Sequence, residues 1–125
     1  MKNSLSLLLI CLISFQKPVF SQAPELVIQS GHSDVINEIL YAPDGKHLIT
    51  CSDDFTIKIW EIASGKEMRT LLGHSKPVNE IAISPDGSRL VSVSDDRKII
   101  IWSFPEGKQI KTIKEHKNKV LTVDY

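Results

Sequence analysis

GHSDVINEILYAPDGKHLITCSDDFTIKIWEIASGKEMRTLL occupies residues 31–72, and GHSKPVNEIAISPDGSRLVSVSDDRKIIIWSFPEGKQIKTIK follows it directly at 73–114. The two runs are equally long and align without a slip. Gly31-His32 returns as Gly73-His74, Pro43-Asp44-Gly45 as Pro85-Asp86-Gly87, Ser52-Asp53-Asp54 as Ser94-Asp95-Asp96, and Trp60 as Trp102, each 42 residues later. About 19 of the 42 aligned pairs are identical, too many for coincidence; a period in the range of about 20–50 residues marks a repeat architecture. A third copy starts at Glu115-His116, with His116 again 42 residues after His74, and runs through Val120 and Val123 to stop at Tyr125 inside a strand. Upstream, Glu25 to Ser30 reads as the last strand of a copy whose beginning is absent.

Within a copy, strand and turn signals alternate at short spacing. Val35 to Tyr41 reads as an apolar strand, Pro43-Asp44-Gly45 as a turn, and His47 to Ser52 as the next strand. Proline presets φ at the second turn position, and glycine tolerates the reversal. Asp53-Asp54 turns the chain into Thr56 to Trp60, where Ile57 and Ile59 alternate with Thr56, Lys58 and Trp60. Ser64-Gly65-Lys66 turns it again into Glu67 to Leu72. The expectation is all-β, with four antiparallel strands per copy.

The spacing of Gly-His, Pro-Asp-Gly, Ser-Asp-Asp and Trp resembles the WD40 repeat family from Glu25 to Tyr125. The Trp-Asp pair that names the family reads Trp60-Glu61 and Trp102-Ser103 here. The resemblance implies blades of a β-propeller: a closing strand at Glu25–Ser30, repeat one at 31–72, repeat two at 73–114 and the start of a third at 115–125. About two blades cannot close a ring that usually takes about four to eight. The sequence therefore reads as an N-terminal piece of a longer propeller. Assembly of short chains into one ring as a homo-oligomer is the weaker alternative.

The resemblance further implies a hydrogen-bonded structural tetrad in each copy: His32, Thr50, Asp54 and Trp60, then His74, Ser92, Asp96 and Trp102. The same residue types could suggest a hydrolase triad. A catalytic triad is needed once, whereas this set recurs in both copies with no oxyanion element beside it, so the chain is not expected to be an enzyme.

No metal or cofactor is expected. The histidines at 32, 74 and 116 fall one per copy, outside any metal-ligand spacing, and the Asp-Asp pairs read as turns. The six glycines are scattered at turns and form no phosphate-binding loop. His47 reads as a strand-surface residue, and Cys51 as packing instead of a nucleophile.

The first 23 residues have the layout of a signal peptide: Lys2, an apolar run from Leu5 to Phe15, and small residues around a cut near Ala23. That run is too short for a membrane span, which needs about 20 residues. Bulky Leu9 and Ile10 argue against acylation at Cys11. The expectation is an exported protein, periplasmic or secreted, of bacterial source. Removing Lys2 and Lys17 leaves 13 basic against 15 acidic residues, a net charge of −2. Glu115 interrupts the basic run Lys108, Lys111, Lys114, Lys117 and Lys119, so nucleic-acid binding is not expected. Cys51 would then have no disulfide partner.

A fold of this kind acts through loops on a rigid frame. The resemblance implies a scaffold for proteins or peptides, on the face holding the Gly-His loop and the turn between the second and third strands. Ser33, Asp34, Asp53 and Phe55 would lie there in one blade, with Ser75, Lys76, Asp95 and Arg97 in the next. Phe55 is the candidate anchor, although a turn residue partly covered by its neighbour is the plainer reading. The competing function is a substrate-recruiting part of a larger exported enzyme whose catalytic domain lies outside this sequence. Sugar binding is disfavoured, because both tryptophans have structural assignments.

Overall fold

The computed structural model describes residues 31–114 and 116–125. The signal peptide expected at 1–23, with Cys11, and the strand expected at Glu25–Ser30 lie outside the described residues. Among the described residues there are eight strands: β1 Ile36–Tyr41, β2 His47–Ser52, β3 Ile57–Glu61, β4 Glu67–Leu71, β5 Val78–Ile83, β6 Arg89–Ser94, β7 Ile99–Ser103 and β8 Gln109–Ile113. They form two antiparallel sheets of four, ordered β1-β2-β3-β4 and β5-β6-β7-β8. The fold is all-β, as the spacing of turns and apolar runs implies.

The strand ends move by a residue from the sequence expectation, and local hydrogen bonds explain two of the shifts. The Val35 amide donates to Asp34 Oδ1 at 2.8 Å and that of Thr56 to Asp54 Oδ1 at 2.9 Å. Side chains that capture backbone amides in this way hold their neighbours in turns and out of the ladder. Residues 116–125 carry no strand, contrary to expectation. β1 and β5 are each held by a second strand, and this segment has no such partner among the described residues.

Strand alternation puts Ile49 and Cys51 of β2, Ile57 and Ile59 of β3, and Leu71 of β4 on one side of the first sheet. On the second sheet Ile81, Leu90, Ser92, Ile100 and Trp102 share a side. Apolar residues of both sides belong to one buried cluster, to which Val78 and Phe104 also contribute. Burying each such side chain is worth about 1.5–3 kcal/mol. His47 is half-buried, not simply a surface residue: its ring meets Phe104 of the second sheet edge-on at 5.6 Å.

The opposite side of the first sheet is less covered. Ile39 and Tyr41 are 55% and 73% exposed there. Lys58 lies on that side yet is buried, donating to Glu67 Oε2 at 2.7 Å and to Thr70 Oγ1 at 2.9 Å. The second sheet has Ile100 at the same position.

Candidate functional site

In each sheet an indole, a hydroxyl, an imidazole and a carboxylate come together as a chain. Trp60 Nε1 donates to Thr50 Oγ1 at 2.9 Å, His32 Nε2 lies 2.6 Å from that hydroxyl, and His32 Nδ1 lies 2.9 Å from Asp54 Oδ2. The second sheet repeats this with Trp102 to Ser92 at 2.9 Å, Ser92 to His74 Nε2 at 2.8 Å and His74 Nδ1 to Asp96 at 2.9 Å. One polarity satisfies all the groups. The indole N–H donates to the hydroxyl, the hydroxyl donates to Nε2, and Nδ1–H donates to the carboxylate.

That polarity requires a neutral imidazole. Burial pushes the His74 pKa below its ordinary 6.5, outweighing the upward pull of Asp96. The His74–Asp96 contact is therefore a hydrogen bond to a carboxylate more than an ion pair. For Asp54, burial raises the pKa, but hydrogen bonds from Thr56, Ser33 and His32 together outweigh it and hold the carboxyl well below the usual range. Asp96 is lowered in the same way, with the amides of Ser75 and Lys98 and the His74 ring opposing burial.

The pH dependence has one sign throughout. A folded-state pKa below 6.5 for His74 means that the unfolded chain takes up the proton first, so stability falls as pH drops below about 6.5. It falls again below about 4, where the unfolded aspartates protonate before the folded ones. The urea midpoint is expected to decrease between pH 7.5 and 5.5, with the His74 Hε1 resonance titrating below 6.5. A higher midpoint at pH 5.5 would instead indicate an imidazolium–carboxylate pair.

These chains tie the Gly-His loops to the turns between the second and third strands. The Ser33 amide reaches Asp54 Oδ2 at 3.0 Å, and the Ser75 amide reaches Asp96 Oδ2 at 3.0 Å. Gly73 permits the close approach: a Cβ there would lie 2.9 Å from the Trp102 ring. Phe55 and Arg97 hold equivalent turn positions at φ 74° and 73°, the left-handed region that few side chains adopt.

The sequence candidates divide by what the fold asks of them. Asp53 accepts from Asn37 at 2.7 Å, and Asp95 from Asn79 at 2.8 Å, so both carboxylates fasten the frame. Ser33, Asp34, Phe55, Ser75, Lys76 and Arg97 have exposed side chains. Lys76, Asp95 and Arg97 meet Lys117, Asn118 and Lys119 around one shallow depression of about 270 Å³. Phe55 lies outside it.

Sequence reasoning passed over Asn37-Glu38 and Asn79-Glu80. Each asparagine sits at a bulge in its strand, and bulges re-aim side chains. Asn37 Nδ2 donates to the Val78 carbonyl at 2.8 Å, while Glu38 accepts the Ile81 amide at 2.9 Å. Asn79 and Glu80 do the same for Val120 and Val123, at 2.7 and 3.0 Å. The identity of the pair in both copies was the signal that could have found them.

Cys51 is fully buried, and burial, with Glu38 adding to it, pushes its thiol up to about 12. A thiol so rarely ionised is a poor nucleophile. Among the described residues, no group of three or more His, Cys, Asp or Glu could hold a metal ion, and no helix is long and apolar enough to cross a membrane.

The family model described as "WD domain, G-beta repeat" matches residues 24–61 and 65–103. Curated relatives include the ribosome biogenesis protein BOP1 homologs of Drosophila erecta and Drosophila willistoni, at 43% and 40% identity over 47 residues. The aligned stretch is 38% of this chain and 6% of either relative. These relatives overturn the expectation of a periplasmic or secreted protein, because ribosomes are built inside cells. Nor do they support a bacterial source.

Proposed function

Since the chain belongs to the WD40 family of WD domain, G-beta repeat proteins, we propose that it is a non-enzymatic scaffold that binds a protein or peptide through loops at one end of its sheets. The observation that carries this reading is the division of labour within each copy. The tetrad groups are consumed by one another, whereas Ser33, Asp34 and Phe55, and Ser75, Lys76 and Arg97, present side chains to solvent on turns that those bonds hold still. Rigid turns lose little freedom when a partner docks, which favours binding. The same division argues against hydrolysis: the Thr50 and Ser92 hydroxyls are buried and already donate and accept.

The relatives are named for ribosome biogenesis, so a role within a large assembly is consistent with this reading. The aligned stretch spans about 6% of their length.

Phe55 is 44% exposed and is the aromatic on these loops. Phe55→Ala is expected to weaken binding of a partner, identified by affinity purification and mass spectrometry, by about tenfold, equivalent to about 1.4 kcal/mol. Phe55→Gly suits the left-handed backbone and separates lost binding from lost folding. Unchanged affinity in both variants would remove Phe55 from the interface.

A further inference from the structure

We propose that the depression between the second sheet and residues 117–119 is a binding site for an acidic peptide segment. The inference rests on the scaffold reading and names the chemistry of its partner. Lys76, Arg97, Lys117 and Lys119 converge there beside Asp95 and Asn118. Asp95 is already engaged: its Oδ1 accepts from Asn79 at 2.8 Å, and its Oδ2 lies 3.6 Å from Lys119 Nζ. Among the described residues, no carboxylate lies at ion-pair distance from Lys76, Arg97 or Lys117. Three cations thus face one small concavity with no carboxylate of the described residues at ion-pair distance, in a chain with no net charge.

The repeat supplies an internal control for whether the fold needs those charges. One period earlier the same positions hold Asp34 for Lys76, Phe55 for Arg97, Ser75 for Lys117 and Pro77 for Lys119. The backbone is the same at both places: the turn amides of Phe55 and Arg97 reach the carbonyls of Ser52 and Ser94 at 3.2 and 3.1 Å. Nothing in the strand or tetrad geometry requires a cation at any of the four positions. Their convergence at one junction alone assigns them to a ligand.

An anion satisfies such a set, and the dimensions favour a short peptide over RNA. A nucleic-acid surface neutralises phosphates along an extended track. Here the cations are gathered around a single shallow depression and trace no such track. A peptide offering two or three carboxylates matches the number of these cations, and Asn118 adds a neutral hydrogen-bonding group to the lining.

The test measures anisotropy of a fluorescent octaglutamate peptide with the full chain, beside octaserine and an oligouridylate of equal charge. Octaglutamate is expected to bind, octaserine not, and the oligouridylate more weakly. The variant K76D/R97F/K117S installs residues that the same fold carries one period earlier, so it keeps its strands by circular dichroism. Its affinity for octaglutamate is expected to fall by at least about tenfold. The comparison variant K108D/K111S/K114S makes the same change in net charge on exposed positions away from the depression, and should change affinity by less than about twofold. Equal losses in the two variants would overturn the site in favour of diffuse attraction, and tighter oligouridylate binding would overturn it in favour of RNA. Loss of this site with retained Phe55-dependent partner binding would leave the scaffold reading standing.

Discussion

Trp102→Ala is expected to lower the unfolding free energy by about 3–5 kcal/mol, and Trp60→Ala by about 1–2 kcal/mol. The two indoles hold equivalent positions and make the same 2.9 Å bond to a hydroxyl, so the bond does not distinguish them. Their surroundings do. Trp102 is 2% exposed and belongs to the apolar cluster between the sheets, whereas Trp60 is only half-buried on the far side of the first sheet. Urea unfolding followed by far-ultraviolet circular dichroism measures both without relying on tryptophan emission. Equal losses would mean that the far side of the first sheet is covered as fully as the inter-sheet side.

Ser92→Ala is expected to cost about 2–4 kcal/mol, although it deletes a single oxygen. That atom accepts the Trp102 indole proton and meets His74 Nε2, and its residue is fully buried. Removing it strands a donor and an acceptor together, each costing about 1–3 kcal/mol when unsatisfied in the interior. Ser92→Thr restores both bonds, as Thr50 does in the first sheet, and should recover most of the loss despite the added methyl. The check is the urea midpoint of the two variants side by side. A loss for Ser92→Ala below about 0.5 kcal/mol would indicate that the hydroxyl is replaced without penalty, for example by water.

The eight strands were legible because their signals are local: alternating isoleucines, Pro-Asp-Gly turns and a period that never slips. The tetrad groups were legible only through resemblance, since no spacing rule says that His32 reaches Thr50 and Asp54 across the sheet. Other features depend on neighbours that a linear reading does not supply. Lys58 alternates with isoleucines in the sequence, and nothing in that alternation shows that its ammonium is held by Glu67 and Thr70 from the adjacent strand. Asn37 and Glu38 lie inside what reads as an apolar strand, and their role shows only when the next sheet is set beside them. Nothing in the chemistry of phenylalanine or arginine calls for positive φ, which the turn imposes at Phe55 and Arg97. The export expectation rested on composition within the first 23 residues, and the ribosome biogenesis relatives contradict it.

The Asn-Glu hooks on β1 and β5 grip a carbonyl and an amide of the succeeding repeat, never an apolar side chain. This part of the docking is indifferent to spelling: any extended stretch offering those two main-chain atoms three residues apart meets the hooks, whereas the apolar cluster between the sheets still asks for bulky side chains. Positions outside that cluster are free to drift, and so to acquire different outward chemistries, while the main-chain grip stays the same.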